Sequence, residues 1–176
     1  MTLKPQDIVI ALKMVAVGKN KWTYSKLAYE LAMSPAEIHA GVKRLFASSL
    51  VIKSPTAPAQ PVKQSLAEFL VHGIKYAFPP ARGGITRGMA TGFSAPPLDK
   101  EFVNTSELPL VWPDPEGNSR GEEFTPLYRS VPKAAQQDRQ LYELLALVDA
   151  IRGGRARERK IAINKLQKRL TKCQES

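Results

Sequence analysis

Residues 23–51, TYSKLAYELAMSPAEIHAGVKRLFASSLV, restrict what this chain can fold into more than any other stretch, because two helix starts sit close together in them. Thr23 is an N-cap residue for a short helix that carries Leu27, Ala28 and Leu31 on one face. Met33 ends that helix. Ser34 opens a second, with Pro35 at its first position and Glu37 three residues past the cap. This is the S-x-x-E capping box, in which hydroxyl and carboxylate each satisfy a backbone N–H that a helix start leaves open. Ile38, Val42 and Leu45 follow at i, i+4 and i+7 and predict a buried stripe.

Two short helices joined by a tight turn, the second apolar on one face only, predict a helix-turn-helix. The helical wheel turns Ala36, His39, Ala40, Lys43 and Ala47 away from the core, with Glu37 and Arg44 on the flank. Small side chains there let a groove floor come close, and their methyls suit thymine methyls. Lys43 and Arg44 have the reach for phosphates or guanine edges. The plainer alternative is an ordinary helical hairpin whose outer face meets water.

At Thr23, Leu27, Ala28, Leu31, Met33, Ser34, Pro35, Ile38, Val42 and Leu45 the stretch resembles the winged helix-turn-helix domain of bacterial transcription regulators, MarR-like proteins among them. Ser49-Leu50-Val51 is similar to the start of the strand that leads into the family's wing, where Gly-Leu-Val is usual. The resemblance covers roughly the N-terminal third of the chain. It implies double-stranded DNA as the partner and a helix 34–47 that enters the major groove. The DNA-facing residues are then Thr23, Tyr24, Lys26, Ser34, Pro35, Ala36, Glu37, His39, Ala40, Lys43 and Arg44, with Lys21 on a phosphate. Few of these are bidentate base readers, so shape and backbone readout are expected. The segment IKSPTAPAQP that follows holds three prolines. Proline is hard to place in a paired strand, which predicts a wing reduced or absent. Lys53 and Lys63 remain within reach of phosphates.

Charge is distributed unevenly. Residues 1–55 carry eight basic and three acidic side chains, residues 91–125 two and seven, and residues 152–176 nine and two, within a net charge of +10. Cationic ends around a helix-turn-helix fit contact with a phosphate backbone. No uninterrupted apolar run approaches the roughly 20 residues of a membrane span. The start MTLKPQD has neither a basic nor an apolar leader region, and the single cysteine, Cys173, fits a reducing compartment. The expectation is a cytoplasmic protein with no membrane partner.

The rest of the chain reads as follows. Pro5 starts a first helix, with Asp7 in its first turn. Its inward stripe of Ile8, Ala11, Leu12 and Val15 is widened by Ile10, Met14 and Val17. That exceeds what a helix-turn-helix buries, and with the family resemblance it predicts packing on a C-terminal helix or a homodimer. Residues 62–78 predict a connecting helix capped by Ser65, and residues 80–130 an extended irregular segment with short strands near Leu108–Trp112. Within that segment Arg82 and Arg87 lie beside glycines. They are either phosphate or partner contacts or are paired internally with Asp99, Glu101 or the acids at 114–116. Ser130 is read as the cap of a helix with Pro132 near its start and an apolar stripe over 137–152, and Gly153-Gly154 separates it from a basic helix over 155–171. Arg155, Arg157 and Arg159 there are further candidate phosphate or partner contacts.

The fold predicted is mainly α. A helix-turn-helix domain occupies residues 1–60, a connecting helix 61–79, the extended segment 80–130 and a C-terminal helical hairpin with a basic tail 131–176. No catalytic residue, cofactor or metal ligand is assigned. His39, His72 and Cys173 lack zinc-site spacing, and the acids Asp114, Glu116, Glu122 and Glu123 lie in a Pro/Gly-rich loop. The function expected is a sequence-specific, dimeric transcription regulator. Its rivals are an antitoxin-like protein-interaction module acting through the central segment and basic tail and, more distantly, a nucleic-acid-acting enzyme using those acids and Mg²⁺.

Overall fold

The computed structural model describes residues 1–56 and 58–175, with side chains as far as Lys172. The side chain of Cys173 therefore lies outside the described residues. Helix accounts for 54% of the chain, so the mainly helical class holds.

At the centre is α1 (Pro5–Val17), which is buried without interruption from Asp7 to Val15. A helix with apolar side chains on every face has to be covered all round, and its two buried charges, Asp7 and Lys13, have to be paired. It packs against α2 (Tyr24–Leu31), α3 (Pro35–Ala47) and α7 (Arg139–Gly153). The surplus apolar surface is thus covered by α7 of the same chain, and it gives no reason for a second copy. The axes of α1 and α3 approach closely at Gly41, where a Cβ would lie 2.4 Å from Ile10 Cδ1.

Local signals set the next two helices. Thr23 Oγ1 accepts from the Lys26 N–H at 3.1 Å. Ala32, with φ 51°, turns the chain from α2 into α3. Both bonds of the α3 capping box are made, Ser34 N–H to Glu37 Oε2 at 2.8 Å and Glu37 N–H to Ser34 Oγ at 3.2 Å. Beyond α3, β1 (Val51–Ile52) and β2 (Gln60–Pro61) form an antiparallel ladder with Val51 opposite Pro61. The prolines shorten the ladder without abolishing it. The Trp22 indole N–H donates to the Ala59 carbonyl at 3.1 Å and ties this hairpin to the helices.

The connecting helix is two pieces, α4 (Lys63–His72) and α5 (Ile74–Ala77), broken at Gly73. Val62, and not Ser65, stands at its N-cap.

The middle of the chain departs most from the sequence expectation, an extended irregular segment with strands only near Leu108–Trp112. Three strands form there: β3 (Arg82–Thr91), β4 (Leu110–Pro113) and β5 (Ser119–Phe124). The first half of β3 pairs with β5 and its second half with β4, both antiparallel. β4 and β5 run parallel side by side, so the sheet closes on itself. Closure this tight leaves no room for a side chain at two crossings. A Cβ on Gly88 would sit 1.9 Å from the Trp112 carbonyl oxygen, and one on Gly121 2.1 Å from that of Pro109.

A buried polar knot fastens the sheet to the helices. The Asp149 carboxylate on α7 accepts from Thr91 Oγ1, the Trp112 indole N–H and Arg152 Nη1, each at 2.7 Å. Arg152 also donates through Nε to the Phe78 carbonyl at 3.0 Å. Burial pushes the Asp149 carboxyl above the usual carboxylate range, against the pull of Arg152 and the two neutral donors.

At the C-terminal end, α6 (Val131–Gln137) precedes α7 as a separate helix. Ser130 does not cap by its side chain; its hydroxyl is buried with no hydrogen-bond partner. Asp138 caps α7 instead, accepting from the Leu141 N–H at 3.1 Å. Its other oxygen joins Glu30 on the buried Lys13 ammonium, at 2.7 and 2.9 Å, which ties α1, α2 and α7 at one point. α8 (Ala156–Glu175) packs on α7 and α4 through Ala162, Leu166 and Leu170. Among the described residues no helix is long and apolar enough to cross a membrane.

Candidate nucleic-acid interface

The exposed side of α3 is Ala36, His39, Ala40, Lys43 and Ala47, reached through an exposed Ser34-Pro35. These are the positions that the helical wheel turns outward. His39 does not swing freely: its ring stacks on Tyr24 at 3.9 Å and 8°. Tyr24 in turn meets buried Trp22 edge-on at 5.3 Å. A three-ring stack therefore runs from the core to the outer face and fixes what α2 and α3 present together. Thr23, Ser25, Lys26 and Tyr29 are the exposed residues at the start and along α2, with Lys21 just before it.

Arg44 is a correction. Its guanidinium forms a two-pronged pair with the fully buried Asp7 carboxylate, Nε to Oδ2 at 2.7 Å and Nη2 to Oδ1 at 2.8 Å. Asp7 also accepts from the Lys4 N–H at 2.8 Å. A buried carboxylate has to keep its counter-ion, so Arg44 staples α3 to the start of α1 and is not available to a phosphate.

Glu37 is engaged as well. Besides closing the capping box, its Oε1 accepts from the Tyr128 hydroxyl and lies 3.6 Å from Arg129 Nη2. The Tyr128 hydroxyl first, then the Ser34 N–H, hold the carboxyl below its ordinary 4.5. A depressed folded-state value contributes stability that is complete above the unfolded value and is lost as pH falls through the folded one. The stability difference between the wild type and Glu37→Gln is therefore expected to shrink steadily below about pH 4.5, as read from urea midpoints at a series of pH values.

All three carboxylates of the first 55 residues are thus consumed: Asp7 by Arg44, Glu30 by Lys13, and Glu37 by Tyr128 and Arg129. Lys4, Lys19, Lys21, Lys26, Lys43 and Lys53 are exposed, and none forms an ion pair with another described residue. The surface around α2 and α3 is cationic because its acids are spent inside it.

The other candidate cations are placed elsewhere. Arg82 donates to the Gly153 carbonyl at 2.7 Å and pairs with Glu122 at 3.4 Å; Arg87 donates to the Gly117 carbonyl at 2.6 Å. Both hold the small sheet, through partners other than the acids named from sequence. Arg155 pairs with Glu107, Arg157 lies 5.5 Å over the Phe102 ring, and Arg159 lines a shallow groove with Lys75 and Lys160. These belong to the start of α8, not to α2 and α3. Sequence reasoning missed Tyr128 and Arg129, which follow β5 and carry no local signal of their closeness to α3. Asp114, Glu116, Glu122 and Glu123 do not gather: among the described residues no three His, Cys, Asp or Glu side chains are placed to hold a metal ion.

Comparison with protein-family models, with curated proteins and with solved structures gives no significant match.

Proposed function

We propose that residues 1–61 form a winged helix-turn-helix that binds double-stranded DNA, with β1–β2 as a short wing and α3 as the helix that enters the major groove, and that the protein regulates transcription in the cytoplasm. The observation that carries this reading is the one-sided use of charge. Every acid of the segment is paired internally, while its six exposed lysines have no ion-pair partner among the described residues and α3 turns alanines outward. Alanines at 36, 40 and 47 suit close approach to base pairs, and Lys43 reaches beyond them. Lys21 and Lys26 border that face on the α2 side and suit the flanking backbone. Arg44 has no part in contact; it sets the angle of α3.

Fluorescence anisotropy with a labelled duplex between 50 and 200 mM salt tests this. With four to five lysines on phosphates, log affinity falls linearly with log salt at a slope of about −4, roughly 250-fold across that range. A flat response overturns the proposal.

A second reading has its own support. We read α7 and α8 as a helical hairpin whose outer face, at Arg157, Lys160, Lys168 and Lys172, is exposed and has no carboxylate partner among the described residues. Such a stripe suits an acidic protein partner, as in an antitoxin-like module. It predicts that charge reversal on α8, and not on α3, removes the interaction.

A further inference from the structure

The surface around α3 is not made by the N-terminal helices alone. Between buried Leu127 and Val131 the chain crosses the start of α3, and the two residues there that reach it are Tyr128 and Arg129. Leu127 and Val131 are 6% and 1% exposed, so the crossing is anchored on both sides. Tyr128 fixes it laterally by donating its hydroxyl to Glu37. The Arg129 guanidinium lies 4.9 Å over the Tyr128 ring, which limits its swing, yet the side chain is 80% exposed. At 3.6 Å from Glu37 Oε1 it is close enough to feel that charge and too far to be held by a short hydrogen bond.

An exposed cation at the first turn of α3, only loosely paired with Glu37, is chemically well placed. That turn carries the positive end of the helix dipole, and in helix-turn-helix docking it is the N-terminal part of the second helix that meets base edges and the adjoining phosphate. We infer that Arg129, delivered from the second half of the chain and positioned by Tyr128, is a DNA contact on the phosphate beside the N-terminus of α3. This rests on the DNA-binding reading above and extends it: the interface is completed in cis by a segment 91 residues away from Glu37 in sequence. It also gives the small sheet a role, because β5 leads directly into the crossing.

The test uses the full chain and the same labelled duplex. Arg129→Ala lowers affinity about tenfold near 100 mM salt and makes the salt slope shallower by about one, while Arg129→Lys keeps the slope. The loss persists in a Glu37→Gln background, because glutamine preserves the capping box and removes the charge that Arg129 faces. Two results overturn the inference: unchanged affinity and slope in Arg129→Ala, or a loss with unchanged slope that lysine does not rescue, which marks a structural role. If Arg129→Ala matters only while Glu37 is present, the arginine merely masks that carboxylate, and the inference fails in that form too. A wild type that shows no salt dependence fails the DNA-binding reading itself, which separates the two.

Discussion

Asp149→Ala is expected to destabilise the protein by about 3–5 kcal/mol, the range for removing one partner of a buried ion pair. The carboxylate is 2% exposed and is the common acceptor of three donors that come from β3, β4 and α7. Its loss strands the Arg152 guanidinium, 3% exposed, and leaves the Thr91 hydroxyl and Trp112 indole N–H unpaired in the interior. Either consequence alone is costly, and here they coincide. Thr91→Val removes one donor and keeps the ion pair, so it is expected to cost only about 1 kcal/mol. For a chain of this size the alanine variant is expected to lower Tm by about 10 °C or more. Thermal and urea unfolding of the two variants check the ranking. Equal effects would mean that the sheet is held by its own ladder and not by this knot.

The parts of the fold legible in the sequence are those that local physics determines. A cap residue, a proline at the first helical position and an apolar stripe act within a few residues, so α2 and α3 can be read from Thr23, Ser34, Pro35, Glu37 and the run Ile38, Val42, Leu45. The small sheet is different. β3, RGGITRGMAT, has four polar and three glycine residues and no clean alternation, and half of β5, SRGEEF, is charged. Their pairing joins Arg82 to Phe124 across 42 residues, and it depends on glycines that look like turn residues until a second backbone is laid against them. The same limit explains the arginines. A helical wheel puts Arg44 on the flank of α3 and Arg152 three residues from Asp149 on α7, where either reads as a surface cation. Only the packing of α1 on α3, and of β3 and β4 on α7, shows that both are buried counter-ions. Tyr128 and Arg129 lie between elements in an unpatterned stretch, and nothing nearby announces Glu37 as their partner.

The candidate interface was legible as a face and not as a charge balance. Ala36, His39, Ala40 and Lys43 could be turned outward from spacing alone. That Asp7, Glu30 and Glu37 are all spent internally required the structure, and this is what leaves the lysines unopposed.

Ala40→Glu is the change that separates an α3 that meets a duplex from one that meets water. Ala40 is exposed in the middle of the α3 face, and glutamate is a good helix former there, so the unfolding midpoint stays within about 0.5 kcal/mol of wild type. Against a phosphate backbone, however, a carboxylate at that position meets like charge, and about a hundredfold loss of affinity, roughly 3 kcal/mol, is expected. Lys168→Glu on α8 changes charge by two units and serves as the comparison. Ala40→Glu is predicted to lower duplex affinity about a hundredfold at about 100 mM salt while Lys168→Glu binds like the wild type. Duplex binding unaffected by Ala40→Glu and lost with Lys168→Glu would contradict it and move the interface to the C-terminal helix.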